Sequence, residues 1–138
     1  MTNSFSDFHK AKMILAIGTN MTEAHPVAAT FVKDAVLGGA QLIVVDPRRS
    51  GLAEFANLHV PIRVGSDVAF LNGVMHVLIQ EDLYDRNYVE SCTVGFEELK
   101  SRVMAYPPER AAEISGIGAE TIREVARRMA ATRPAMLM

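Results

Sequence analysis

Three short polar stretches hold the residues whose types and spacing suit chemistry. The first is Gly18-Thr19-Asn20, which closes the apolar run Met13-Ile14-Leu15-Ala16-Ile17. Backbone N–H groups at a strand-to-helix turn of this kind can meet a phosphate. One glycine is far short of a G-x-G-x-x-G fingerprint, and an ordinary turn with Asn20 satisfying local backbone reads the same letters. The second is Asp46, which follows Leu42-Ile43-Val44-Val45. A carboxylate there can accept both hydrogens of a ribose diol, and a turn-forming Asp before Pro47 is an equal reading. Arg48 beside it suits a phosphate or a guanine edge, or simply a solvated loop. The third is Gly65-Ser66-Asp67. Its carboxylate can accept two hydrogen bonds from the N1–H and amino edge of guanine, a pattern adenine does not offer. Ser66 or Asp67 equally suits a helix N-cap.

The remaining polar candidates are weaker. Glu23 and His25 share one loop and form a possible acid/base pair. His59 and His76 lack partners at ligand spacing, and Cys92 reads as a small packed residue. No nucleophile–base–orienter set assembles, so no catalytic residue and no metal ligand is expected within the chain.

The elements that must position these residues follow from apolar patterning. Met13–Ile17 and Gln41–Val45 are short continuous apolar runs closed by turn residues, the pattern of parallel strands buried on both faces. A helix is expected from Pro26 to Leu37, with proline in its first turn and Gly38-Gly39 after its end. Leu52 to Ala56 reads as a short helical segment. Leu58 to Val64 reads as a third extended piece that Pro61 demotes to an edge or a bulge. A helix from Asp67 to Gln80 is apolar almost all round and so expected to be buried on several sides. Shorter helices are expected over 86–90, 96–104 and 107–114. The last helix shows Ile122, Val125, Ala126, Met129 and Ala130 on one face, with a Glu124–Arg128 pair on the other. Arg133 to Met138 reads as the start of a further apolar strand. The expected fold is α/β: a Rossmann-like three-layer αβα domain with a mostly parallel sheet and a helical C-terminal part, one domain over residues 1–138. Because the chain stops inside an apolar run, it reads as a piece cut from a longer protein.

Composition narrows the function classes. The chain has 138 residues, net charge −2 and 49% hydrophobic residues, enough for a real core and too little charge to attract nucleic acid or anionic membrane. Tryptophan is absent, which weakens a base-stacking role. A single cysteine excludes a disulfide framework and a cysteine-built zinc or iron–sulfur site from this chain alone, and points to a reducing compartment, the cytoplasm. No signal-peptide pattern opens the sequence, and no stretch reaches the roughly 18 apolar residues of a membrane span.

Taken in order, three segments carry a resemblance: Ala16-Ile17-Gly18-Thr19-Asn20-Met21-Thr22-Glu23-Ala24-His25-Pro26, Leu42-Ile43-Val44-Val45-Asp46-Pro47-Arg48-Arg49, and Gly65-Ser66-Asp67-Val68-Ala69-Phe70-Leu71-Asn72-Gly73. Together they resemble the molybdopterin-guanine-dinucleotide enzymes of the DMSO reductase type, and within them the formate dehydrogenase large subunits. Leu83-Tyr84-Asp85, Gly95-Phe96-Glu97-Glu98-Leu99 and Glu113-Ile114-Ser115-Gly116 extend the resemblance, and Met1-Thr2-Asn3-Ser4 looks like an internal segment of such a chain.

The resemblance implies a cofactor, bis-molybdopterin guanine dinucleotide, that holds molybdenum or tungsten between two dinucleotides. It implies that this chain binds one of them. Gly18, Thr19 and Asn20 would approach the pyrophosphate or adjoining sugar. Glu23 stands where the family often has an acid near the nucleotide, and Ala24 stands where some relatives have serine. Asp46 and Arg48, with the Val45 backbone, would line the ribose–guanine part, and Gly65 and Asp67 would meet guanine. In this light Asp46 leans toward the dinucleotide. The parent enzyme would oxidise formate to CO2, passing electrons through the metal to a 4Fe-4S cluster. The metal ligand and the cluster cysteines lie outside this segment, so the chain alone is expected to be inactive. Its implied partners are the remaining domains of the parent subunit and electron-transfer subunits, with no nucleic acid, no direct membrane contact and possible self-association through uncovered faces. The alternatives are a stand-alone nucleotide-binding or regulatory module, and the same domain of a nitrate reductase-type enzyme.

Overall fold

The two bounded apolar runs become adjacent parallel strands. In the computed structural model, which describes residues 4–138, β1 is Met13–Ile17 and β2 is Gln41–Val45. Met1–Asn3, part of the expected internal-segment resemblance, lie outside the described residues. The third strand, β3, is Leu58–Val60 and pairs with β2, while β4, Ala135–Leu137, pairs with β1. All pairings are parallel, and the strand order is β3-β2-β1-β4. The chain steps outward from β1 through β2 to β3, then returns to the other side of β1. That reversal beside β1 is the topological switch point of a doubly wound sheet. The expected α/β class with a parallel sheet is what forms.

The chain divides into two compact units. The first comprises the residues up to Pro61 together with Thr132–Met138, and so holds the whole sheet. It also contains a 3-10 turn at Phe5–Lys10, a single helical turn α1 at Met21–Ala24 and the helix α2 at Pro26–Leu37. Alternate residues of β1 and β2, Ile14, Ala16, Leu42 and Val44, join Ala28, Ala29 and Val32 of α2 in one core cluster. Helix α2 ends as its two glycines suggest. Gly39 has φ 100°, its N–H donates to Val36 O at 2.9 Å, and Ala40 N–H donates to Ala35 O at 2.9 Å. This is a Schellman closure, which a residue with a Cβ would strain.

The second unit, Ile62–Ala131, is helical. It contains α3 (Asp67–Gln80), α4 (Arg86–Cys92), α5 (Phe96–Val103), α6 (Pro108–Ser115) and α7 (Ala119–Ala131). Helix α3 packs against α5, α6 and α7, which accounts for its apolar surface. Gly73 makes that packing possible. A Cβ there would lie 2.7 Å from Ala111 Cβ and 3.3 Å from Ile122 Cγ2. His76 of α3 is buried and donates from Nδ1 to Val103 O at 3.1 Å, while Nε2 sits 3.0 Å from Gln80 Oε1. It is a satisfied core histidine. Arg63 closes α6 by donating from its guanidinium to the carbonyls of Glu113 and Ile114 at 3.0 and 2.9 Å. The polar face of α7 forms the expected Arg128–Glu124 pair, and Arg127 grips Glu81 through two hydrogen bonds of 3.0 and 2.8 Å. The Arg127 contact holds the Glu81 carboxyl below its ordinary range.

Several boundaries differ from expectation for physical reasons. Strand β3 stops at Val60, because Pro61 has no N–H to continue the ladder. Helix α4 runs on to Cys92, and the Leu52 to Ala56 segment is a 3-10 turn over Ala53–Phe55. The turns at Phe5–Lys10 and Met21–Ala24 are too short to leave a periodic apolar signature.

Gly73 yields a test of opposite sign to simple propensity. Within a helix, alanine normally gains about 1 kcal/mol over glycine. Here overpacking against Ala111 and Ile122 outweighs that gain, and Gly73→Ala should destabilise the chain by about 1–2 kcal/mol. Thermal melts of the two proteins check it; a raised melting temperature would contradict the packing described.

Candidate functional site

The carboxyl ends of β1 and β2 release their chains side by side. Ile17 and Val45 are register partners, and the N–H of Gly18 donates to Val45 O at 3.1 Å. Val45 itself is fully buried, with its carbonyl committed to that bond. Gly18 has φ 60°, and a Cβ built on it would meet nothing within 4 Å. Its requirement for glycine is therefore conformational, with open space around it. Beyond it, the N–H groups of residues 19–22 donate to no protein acceptor among the described residues, a row of free donors where β1 ends. Asn20 turns its Oδ1 to the Thr22 hydroxyl, which donates at 3.0 Å. Glu23 is exposed in α1 and forms no ion pair among the described residues.

The loop after β2 lies against this turn. A Cβ on Gly51 would come 3.1 Å from Thr22 Oγ1, so the two loops touch. Asp46 is only 6% exposed. Its Oδ1 accepts the Arg48 N–H at 2.7 Å, the Asx-type bond of a turn. Oδ2 accepts no hydrogen bond among the described residues. Turn-former and ligand readings of Asp46 are thus compatible, one for each oxygen. Arg48 is exposed and unpaired among the described residues. Ser50 adds a buried Oγ without a partner in the same loop.

His59 was not legible as part of this group. It lies on β3, and its Nε2–H donates to Asp46 O at 3.0 Å. The signal was the parallel pairing of β3 beside β2, which linear spacing does not show.

Gly65 and Asp67 belong to the second unit, where they open α3. Gly65 has φ 80° and open space where a Cβ would go. The expected cap does not form. Ser66 occupies the N-cap position, but its hydroxyl donates back to Arg63 O at 2.5 Å and no side chain caps the helix. Asp67 is the first helical residue, half-buried, and its carboxylate is free of hydrogen bonds among the described residues. Among the described residues no cluster of three or more His, Cys, Asp or Glu is placed to hold a metal, and no helix is long and apolar enough to cross a membrane. Cys92 is exposed rather than packed.

The sequence matches the molybdopterin oxidoreductase family over residues 1–137. The chain belongs to that family. Membership of this oxidoreductase family implies molybdopterin with a metal in the parent enzyme. The chain is 37% identical to formate dehydrogenase H of Escherichia coli over 138 residues, covering all of this chain and 19% of that protein. It is 33% identical to the assimilatory nitrate reductase catalytic subunit of Bacillus subtilis, over 99% of this chain and 19% of that one. The solved structure of an acetylene hydratase from Pelobacter acetylenicus superposes with a TM-score of 0.86 at 37% identity, over 96% of this chain and 20% of that chain. The chain thus spans about a fifth of the length of these relatives. Their names cover formate, nitrate and acetylene, so membership assigns the scaffold and cofactor class rather than one substrate.

The turn at Gly18 can be tested without any ligand. Gly18→Ala must hold an L-residue at φ 60° in open space, a cost of about 1–2 kcal/mol with no clash. Urea unfolding should show that loss with an unchanged slope. Unaltered stability would mean that the turn adopts another conformation.

Proposed function

We propose that this chain is a single cofactor-binding domain in a larger subunit of formate dehydrogenase type, holding one guanine dinucleotide of a molybdopterin cofactor. The observation that carries the reading is Asp46: a buried carboxylate with one oxygen spent on its own turn and one left over, beside the unpaired Arg48 and the free N–H groups of residues 19–22. These donors and acceptors fit a diphosphate joined to a ribose, because the diphosphate needs donors and the diol needs a carboxylate.

In this reading the N–H groups at Gly18-Thr19-Asn20 face the pyrophosphate, and Gly18 keeps the approach clear of a side chain. Glu23 faces the nucleotide from α1. Asp46 Oδ2 accepts from the ribose hydroxyls, His59 fixes the Asp46 carbonyl, and Arg48 supplies positive charge. Gly65 and Asp67 recognise guanine, the Asp67 carboxylate accepting from N1–H and the amino group. The bound cofactor supplies the metal for a two-electron oxidation of formate to CO2. This chain contributes binding and orientation, with no catalytic residue and no metal ligand of its own. The remaining domains and electron-transfer subunits of a cytoplasmic enzyme complete it. Formate is preferred because several formate dehydrogenase subunits match the whole chain at 37–39% identity, above the 33% of the nitrate reductase. A nitrate reductase-type parent is the second reading, supported by the 33% identity to the Bacillus subtilis enzyme.

The test uses the full subunit that carries this segment, with and without Asp46→Asn. Acid hydrolysis should release less GMP per subunit from the variant, with cofactor affinity lower by roughly tenfold or more, and formate-dependent dye reduction should fall in step. The 138-residue chain alone should reduce no dye. Full GMP content in the variant would remove Asp46 from the site. A cofactor-replete subunit that turns over nitrate and not formate would replace the substrate.

A further inference from the structure

Strand β4 ends the sheet, and its outer side is bare among the described residues. It pairs with β1 alone, and the strand order stops there. The bonds at its two ends fix the phase of the ladder. The Lys12 N–H donates to Pro134 O at 2.9 Å, the Met138 N–H to Leu15 O at 3.0 Å, and the Ile17 N–H to Met138 O at 2.9 Å. Bonding to one neighbour falls on alternate residues of a strand, so residues 134, 136 and 138 face β1. The N–H and C=O groups of Ala135 and Leu137 therefore point away from β1, a short row of donors and acceptors at an open edge.

Native sheets blunt such an edge with charge, proline or a bulge. The other edge strand, β3, runs straight into Pro61. Strand β4 has no such device, since Ala135-Met136-Leu137-Met138 is apolar throughout. Met136 and Met138 pack against the core of the first unit, while Leu137, on the other face, is 58% exposed. A cavity of about 280 Å³ opens beside the start of β4, lined by Asp7, Lys10, Ala11, Pro134, Ala135 and Met136. Its two charges face each other, Lys10 donating to Asp7 at 2.7 Å, so an entering backbone meets room and no net charge.

The shortness of the edge selects its occupant. A separate molecule, a second copy included, loses translational and rotational freedom on binding, and two residues of ladder do not offset that loss. A segment of the same polypeptide loses only loop-closure freedom. The chain spans 19% of formate dehydrogenase H, so a parent subunit of that size has ample polypeptide to supply one. We propose that an extended apolar segment of the parent subunit, from outside these 138 residues, pairs with Ala135 and Leu137 and makes β4 an interior strand. The inference rests on the reading of this chain as part of a larger subunit, and not on its dinucleotide site.

The experiment is hydrogen–deuterium exchange of the full subunit that carries this segment, read residue by residue with electron-transfer fragmentation. Ala135 and Leu137 should exchange roughly a hundredfold or more slowly than in an unfolded peptide, as Met136 and Met138 do. Leu137→Pro removes one outward donor and leaves the Met138 bonds to β1 in place. In that variant one further segment, outside residues 1–138 of the same polypeptide, should lose protection. Fast exchange at Ala135 and Leu137 beside slow exchange at Met136 and Met138 in the wild-type subunit would overturn the proposal, whatever the variant does. So would a folded variant that deprotects no segment outside residues 1–138, or only a segment of another subunit. The GMP content of the same preparations separates this proposal from the dinucleotide reading. A GMP-replete subunit with a fast-exchanging β4 edge overturns the proposal and leaves the dinucleotide site standing.

Discussion

The alignment of β1 with β2 is the constraint on which the rest of the first unit depends. Ile17 opposite Val45 means that both strands end at the same level, and the Gly18 N–H closes the ladder onto Val45 O. A parallel register shifted by one residue would end the two strands at different levels. It would also separate the two loops that now touch at Thr22 and Gly51. Strand β3 extends the same alignment. The Asp46 N–H donates to Val60 O at 3.2 Å, and His59 reaches the Asp46 carbonyl from the neighbouring strand. The position of the Asp46 carboxylate is therefore inherited from three strands, although the residue itself lies in a loop.

The strands were readable because their signals are local. A continuous apolar run stopped by Gly18, or by Asp46-Pro47, has few other solutions in a chain of this size. Helix α2 was equally plain, bracketed by Pro26 and by a glycine pair whose second member takes the left-handed conformation. What was not readable depends on neighbours distant in sequence. Nothing around His59 announces that Asp46 O will be its partner, and nothing around Gly73 announces Ala111. The capping role expected at Ser66 or Asp67 failed for a related reason. The Ser66 hydroxyl finds a better acceptor in the Arg63 carbonyl three residues back, and this leaves Asp67 uncommitted.

Asp46 shows how structure refined an even choice. Spacing allowed either a turn or a ligand, and the carboxylate has geometry for both, with Oδ1 in the turn and Oδ2 in reserve. Oδ2, with no hydrogen-bond partner among the described residues, stays open to water or a ligand. Family membership supplies molybdopterin with a metal in the parent enzyme, and the chain spans about a fifth of its relatives' length. The division of labour proposed here is consistent with that share: this chain holds and orients, and the chemistry is done elsewhere.

The central claim is that the carboxyl edge of the sheet receives a guanine nucleotide. Hydrogen–deuterium exchange of the 138-residue chain with and without GDP tests it most directly, because the N–H groups of residues 19–22 have no protein acceptor among the described residues. The account predicts slowed exchange over residues 18–23 and 46–51 on adding GDP, and little change over residues 9–12 at the opposite edge. Exchange that is unaltered at both loops, or protection confined to the opposite edge, would contradict it.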